Sequence, residues 1–440
     1  MNYIFSNYNY YKKNNNSNNC FIFNSLSRKL VCIPQKYIEN TELISNENLD
    51  LLKKYNYIIE KGQEQLNEIK TITSIKKYDN KVLRLTIIPT NSCNFRCIYC
   101  YQPERNSFMT DKTMEGVIKW IENNITFFKE LNISWFGGEP LLKKGLIIET
   151  MRQIQAICRF WKKPMVASIT TNGYELDFES FTKLVSYGVL YYQITIDGGQ
   201  KTHNKQRPHK TNNDSYSVII NNLKQIKNNQ FRKRFEIGIR INISGNMSSE
   251  SIFQFIDEME ETFSHDKRFV FVWQWVRDWG GERINSYNKD ELVKKGDECI
   301  EFIEYAQKKG LYSPDIIEST IGADSCEAFY KYGYVINYDG SVFKCAMLME
   351  DYENNCIGYI DNYGRMILNN NENKWLQDDA ISKKCEKCPF LPMCLVSRCH
   401  YSVKVRSKLK CMEYIDLIDK LIDNMIIRNH YLTLKEAENG

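Results

Sequence analysis

Three cysteines stand within eight residues, at Cys93, Cys97 and Cys100. Thiolates at that spacing on a loop can converge on one face of a metal centre. A [4Fe–4S] cluster takes four ligands, so three thiolates leave one iron open to a small molecule. A zinc loop that borrows a distant fourth ligand is the other reading of the spacing. A second set lies downstream: Cys326, Cys345, Cys385, Cys388, Cys394, Cys399 and Cys411. Its CxxC pair at 385–388 suits a zinc ribbon or an iron–sulfur cluster. Cys20, Cys32, Cys158, Cys299 and Cys356 are scattered and read as small core residues.

The elements that must carry the first set alternate in type. Strand candidates are 82–89, 132–136, 166–171, 191–197, 236–244 and 268–276, with helical patterns between them. The clearest helix is expected over 111–131, with Met114, Val117, Ile118 and Ile121 on one face and Thr110 as its cap. Such alternation implies an α/β fold with a parallel βα array, an open sheet or a partial barrel, whose ligands lie at the C-terminal ends of the strands. Cys93–Cys100 follows the first of those strands.

Residues 1–80 read as a small β-plus-helix module. It has short strands at 2–11, 20–25 and 29–33 around a polar tip at 13–19, then helices at 47–59 and 62–75. The βα array is expected over 81–288. A third region, 289–440, is expected to hold a helix at 290–309, short strands around Gly340, cysteine-rich loops and a final helix at 411–427. Its sparse apolar content suggests a domain held together by metal.

Composition limits the partners. The chain has 440 residues, 59 basic and 54 acidic, a net charge of +5 that argues for neither nucleic acid nor an anionic membrane. No apolar run is long enough to span a bilayer. The opening MNYIFSNYNYYKK lacks the pattern of a secretory signal, so a cytoplasmic protein is expected. In a reducing compartment, clustered cysteines bind metal more often than they form disulfides.

The CxxxCxxC loop after the first strand of a βα array resembles the radical S-adenosylmethionine (SAM) superfamily. Further motifs agree at successive strand ends: Gly137-Gly138-Glu139-Pro140, Thr171-Asn172-Gly173, and Thr195-Ile196-Asp197-Gly198 followed by His203 and Arg207-Pro208. The resemblance implies a partial (βα)6 barrel in which Cys93, Cys97 and Cys100 hold a catalytic [4Fe–4S] cluster. It also implies SAM contacts from Tyr99, Gly138, Glu139, Thr195 and Arg207. The cluster's open iron would chelate SAM, and an electron from it would release a 5′-deoxyadenosyl radical that takes hydrogen from substrate.

The downstream cysteines resemble the SPASM domain of peptide and sulfatase maturases. That implies two auxiliary [4Fe–4S] clusters, three in all, which staple the C-terminal domain. Cys326, Cys345 and Cys399 would hold one, and Cys385, Cys388, Cys394 and Cys411 the other. Four residues instead of the usual three separate Cys394 from Cys399, and the first auxiliary cluster lacks an obvious fourth ligand. Cys356 is one candidate; a substrate thiolate is the other.

Two activities fit the resemblance. One is a maturase of ribosomally made peptides that installs a crosslink, a cysteine thioether above all, with residues 1–80 either a winged-helix-like module that binds the leader of the precursor by strand addition or a helical lid or packing domain. The other is an anaerobic sulfatase maturase that makes formylglycine. In that family an aspartate base follows the G-x4-C cysteine; here Ala346 stands there, with Asp351 out of register. A non-enzymatic electron carrier is the third reading, and it leaves the SAM motifs without purpose. Either enzyme needs an external one-electron reductant such as flavodoxin or ferredoxin. No catalytic acid or base is assigned.

Overall fold

In the computed structural model of the chain, residues 3–14, 17–103, 106–229, 231, 233–277, 283, 298–314, 326–378, 381–406, 411, 415–428 and 430–434 are described. Two compact units emerge. One comprises Met1–Tyr78, Ile316–Phe329 and Gln377–Gly440, and the other Asp79–Asp315 and Tyr330–Leu376.

The first unit begins with strands β1 (Tyr3–Phe5), β2 (Asn9–Lys13), β3 (Asn19–Asn24) and β4 (Lys29–Pro34). The single strand expected at 2–11 is thus two, split by a turn in which Asn9 N–H donates to Ser6 C=O. β2, β3 and β4 form an antiparallel meander. Helix Asn46–Lys54 follows, capped by Ser45. The chain then enters strand β5 (Ile58–Glu60), which pairs with β1, so the helix expected to reach residue 59 stops early. Helix Gln65–Tyr78 completes the segment. One face of this module buries Ile22, Val31, Ile33, Leu52 and Tyr57 in a core of its own.

The second unit is built on β6 (Val82–Ile87), β7 (Glu130–Trp135), β8 (Met165–Thr171), β9 (Val189–Thr195), β10 (Glu236–Ile243) and β11 (Phe269–Trp275). All are parallel and lie side by side in sequence order, the arrangement that βα crossovers produce. The sheet does not close, since β6 pairs on its outer side with β12 (Gly333–Ile336). Strands β13 (Ser341–Phe343), β14 (Cys356–Ile360) and β15 (Met366–Leu368) extend it antiparallel to ten strands. Residues 330–376, grouped by sequence with 289–440, therefore continue the large sheet. All four residues of β12 are buried, and the free edge of β6 gives them a partner.

Alternation along the parallel strands explains the two faces. Leu83, Leu85 and Ile87, Leu131, Ile133 and Trp135, and Ile237, Ile239 and Ile241 are each at most 2% exposed. The intervening residues are polar: Arg84 and Thr86, Asn132 and Ser134, Arg240 and Asn242. A fully covered parallel sheet is apolar on both sides. A one-sided polar stripe instead suits a face that lines a ligand space.

The helix expected over 111–131 runs Asp111–Asn124 with a short 3-10 turn, because Leu131 is claimed by β7. Thr110 caps it through the N–H of Thr113. Of the helix expected at 290–309, Glu298–Lys308 is observed and 290–297 lie outside the described residues. The last helix is Ile418–Ile427, followed by strand β16 (Leu432–Thr433); residues 412–414 of the expected 411–427 lie outside the described residues.

Candidate functional site

β6 delivers the chain to the cysteine loop, and the loop is held by its own backbone. Arg96 N–H donates to Pro208 C=O at 2.8 Å, Ile98 N–H to Gln206 C=O at 3.0 Å and Lys210 N–H to Asn94 C=O at 2.9 Å. The loop therefore forms a ladder with residues 206–210, the segment that carries the Arg207-Pro208 motif. Cys97 is buried, and Cys93 and Cys100 are half-buried. Burial pushes the Cys93 thiol up to about 11 and the Cys97 thiol to about 12. Glu139 and Cys100 raise the Cys93 thiol further, Cys100 and Cys93 raise that of Cys97, and Arg207 draws both back, so the three sulfurs and the guanidinium share one site. Among the described residues no three His, Cys, Asp or Glu side chains meet at single-ion spacing.

A polar network lies beside the thiols. Tyr99, in the loop, donates its hydroxyl hydrogen to Asp197 Oδ2 and accepts from Arg207 Nη1 at 2.6 Å and from Asn242 Nδ2 at 3.1 Å. Asp197, just beyond β9, is fully buried, and its Oδ1 accepts from Asn242 N–H at 2.8 Å. Burial raises its carboxyl; Arg207, Tyr99 and the Asn242 N–H oppose that. Asp197 N–H donates to His203 Nδ1 at 3.2 Å. Thr195 closes β9, buried and in register with Arg240 of β10. The network thus joins the cysteine loop to the ends of β9 and β10.

The Gly138-Glu139 turn after β7 approaches the same loop closely. A Cβ on Gly138 would fall 2.3 Å from Ser92 C=O, so only glycine fits. Glu139 is fully buried. Its Oε1 accepts from Leu141 N–H at 2.9 Å and Thr171 Oγ1 at 2.6 Å, and its Oε2 from Asn172 N–H at 2.7 Å. Asn172 Nδ2 in turn donates to Asn94 Oδ1 at 2.7 Å, between the first two cysteines. Burial lifts the Glu139 carboxyl to about 7 against the pull of those donors. Glu139 therefore clamps the ends of β7 and β8 together, and Asn172 passes that constraint to the cysteine loop.

These residues fit an iron–sulfur cluster with a charged organic ligand. Three thiols provide the donor set, and Gly138 leaves a close backbone approach. Arg207 Nε, His203 Nε2 and Gln206 Oε1 are buried polar atoms without a hydrogen-bond partner, which a ligand at the strand ends can satisfy.

Sequence reasoning missed Asn242, Arg240 and Tyr101. The first two are polar residues alternating with isoleucines in β10, a pattern visible in EIGIRINIS. Tyr101 is half-buried, and its phenol is raised by burial and by the neighbouring Cys100 and Cys345, with Arg240 opposing. Tyr101 therefore lies within electrostatic reach of Cys100 and Cys345, both in the second unit.

The remaining cysteines divide between the units. Cys345 belongs to the second. Its N–H donates to Asn355 Oδ1 and its C=O accepts from Asn355 Nδ2, each at 2.8 Å. Cys356 is in β14, its thiol donating to Gly358 C=O at 3.4 Å, and it packs with Ala346 against Ile88, Val335 and Phe343. Cys326, Cys385, Cys388, Cys394, Cys399 and Cys411 belong to the first unit. Cys385 lies on helix Lys383–Glu386, Cys394 on Leu391–Ser397, and Cys399 precedes His400–Lys404; Cys326, Cys399 and Cys411 are exposed. Leu391, Leu395 and Cys385 pack on Tyr8 and Ile69 of the N-terminal segment.

Comparison with known proteins agrees with this site. Residues 87–257 match the Radical SAM superfamily. A cysteine-type anaerobic sulfatase-maturating enzyme of Clostridium novyi (strain NT) is 25% identical over 343 residues, covering 71% of this chain and 87% of that one. A GTP 3',8-cyclase of Campylobacter jejuni subsp. doylei is 34% identical over 131 residues, 28% of this chain and 37% of the relative. Among solved structures, anSMEcpe with bound AdoMet (S-adenosylmethionine) and the Cp18Cys peptide superposes with a TM-score of 0.57 at 17% identity, covering 79% of this chain and 97% of that one. Residues 87–257 of the chain thus match the radical SAM superfamily, and over 71% of its length the chain is similar to a cysteine-type anaerobic sulfatase-maturating enzyme.

Proposed function

We propose that the chain is a peptide maturase that joins a cysteine sulfur to a carbon of a ribosomally made precursor. A bound [4Fe–4S] cluster with SAM supplies one-electron cleavage of the sulfonium and a species that takes a hydrogen atom from the peptide. Cys93, Cys97 and Cys100 hold that cluster, releasing their thiol protons as metal binds. Arg207, aligned by Tyr99 and Asp197, offers its unpartnered Nε to the SAM carboxylate; Thr195 and the backbone at Gly138 border the same ligand. The seven downstream cysteines, Cys326, Cys345, Cys385, Cys388, Cys394, Cys399 and Cys411, are the proposed ligands of two auxiliary clusters of SPASM type. An external flavodoxin or ferredoxin supplies electrons, and the protein works in the cytoplasm. The 1–80 module recognises the leader.

The observation that carries the crosslinking reading is Ala346. The residue after Cys345 packs against the apolar cluster of Ile88, Val335 and Phe343, so that position offers an apolar wall and no carboxylate base. Thioether formation removes one hydrogen atom from carbon and a proton from the thiol, and leaves one electron for an auxiliary cluster. A thiol bound to metal has already lost its proton, so no base is required there.

Formylglycine formation is the second reading, favoured by the homology that spans 87% of the Clostridium novyi enzyme. Mass spectrometry separates the two on cysteine peptides. A crosslink removes two hydrogens and keeps the sulfur, whereas formylglycine formation from cysteine loses the sulfur. A sulfur-free aldehyde product would overturn the crosslinking assignment.

A further inference from the structure

The end of the parallel sheet away from the cysteine loop has a chemistry of its own. Segments 125–129, 158–164, 186–188 and 233–235 lead into β7, β8, β9 and β10, so they gather at the N-terminal ends of those strands. Three large aromatic side chains stand out there. Phe127 is 70% exposed, Phe160 77% and Trp161 42%. Phe160 and Trp161 meet edge-on, with centroids 5.0 Å apart. Lys163 Nζ donates to the carbonyls of Thr126, at 3.3 Å, and Phe128, which sets the Phe127 turn beside them. Rings of this size are usually mostly buried, and a group of them in water marks an interaction surface.

Arg159 and Lys163, which flank the two rings in sequence, line a cavity of about 340 Å³ together with Lys233 and Arg234. Cys158, Met165 and Leu190 supply apolar wall. Lys163 is held by the carbonyls already named and Lys233 by that of Ser186, at 2.6 Å. Arg159 and Arg234 are exposed, and neither pairs with a carboxylate among the described residues. Lys129 and Lys162 add two further exposed cations. The net charge of +5 for the whole chain conceals this local concentration.

Cations alone would suit any soluble anion, and rings alone any apolar partner. Aromatic side chains that protrude from a basic rim match the lipid–water interface, where rings settle at headgroup depth and Lys and Arg meet anionic headgroups. An acidic protein would need a fitted pocket for each ring.

We propose that this end of the second unit docks on a membrane surface containing anionic phospholipid. Phe127, Phe160 and Trp161 enter the interface, and a lipid phosphate sits among Arg159, Lys163, Lys233 and Arg234. Strands of six to eight residues put about 20 Å between this end and the cysteine loop, so docking leaves the C-terminal strand ends open to substrate.

Vesicle flotation of the full-length protein is the test. The chain should float with vesicles of phosphatidylcholine and phosphatidylglycerol in equal parts, and should not float with phosphatidylcholine alone. F127S, F160S and W161S combined should weaken binding at least about 10-fold, and R159E with R234E should do the same. Both variants should keep the circular-dichroism spectrum of the parent; if the aromatic variant does not fold, the arginine variant serves. Failure of the parent to float with the anionic vesicles, equal flotation with neutral ones, or undiminished binding by a folded variant overturns the docking surface. Calorimetry with glycerol phosphate separates the two sources of phosphate. Binding of that soluble anion without vesicle binding would make the cavity a small-molecule site and overturn the proposal.

Discussion

The cysteine loop after β6 and the cysteine-rich stretch of residues 385–411 differ in how firmly the fold holds them. The loop is locked before any ligand arrives. Its backbone pairs with residues 206–210, Asn94 is bound to Asn172, and Cys97 is buried. The later stretch rides on helices of four, seven and five residues, and Cys399 and Cys411 are exposed. Helices that short are not stable on their own. On the proposed function, the first site is made by the fold and filled by metal, whereas the second would be held by metal.

The largest effect should come from breaking the second site. Changing Cys385, Cys388 and Cys394 together to Ala should remove about four of the roughly twelve irons that the three proposed clusters would hold. It should also lower the melting temperature of the reconstituted protein substantially, since structural metal binding contributes directly to folding free energy. Changing Cys93, Cys97 and Cys100 together to Ala should cost the same iron with little change in melting. Equal melting shifts in the two variants, read by calorimetry, would break the contrast.

Arg207→Ala comes next. It removes a guanidinium from among Tyr99, Asp197 and Cys97 and should weaken SAM binding by about 1.5–3 kcal/mol, with iron content retained. Isothermal titration under anaerobic conditions reads this directly, and an unchanged affinity removes Arg207 from the SAM site. Tyr99→Phe deletes the hydroxyl that links Asp197, Arg207 and Asn242. It should destabilise the second unit by about 1–3 kcal/mol in denaturant titration, the cost of leaving buried polar groups unmatched.

The smallest effect should follow Glu139→Gln. One amide oxygen cannot serve all the donors at this carboxylate, and the new NH2 opposes an N–H. The Leu141 and Asn172 amides should exchange hydrogen faster, with about 1 kcal/mol lost. Unchanged exchange with weaker SAM binding would make Glu139 a SAM ligand instead of a clamp.

Much of the array was legible because strand alternation and motif order are local. Each expected strand from 82 to 276 appears within about two residues of its observed bounds. The network was not, because Tyr99, Asp197, Arg207 and Asn242 are brought together by β9, β10 and the loop, a long-range pairing that no local pattern encodes. Asn242 was visible only as a polar break in an isoleucine strand. The attachment of β12 to β6 was hidden for the same reason: a four-residue apolar run fits any edge, and the fold decides which.

Cleavage of SAM at the first cysteine loop is the claim on which the rest depends. Anaerobically reconstituted full-length protein, given dithionite and SAM, should produce 5′-deoxyadenosine measurable by chromatography. The variant with Cys93, Cys97 and Cys100 changed to Ala should produce none while keeping the melting temperature of the parent. Continued 5′-deoxyadenosine formation by that variant would contradict the account.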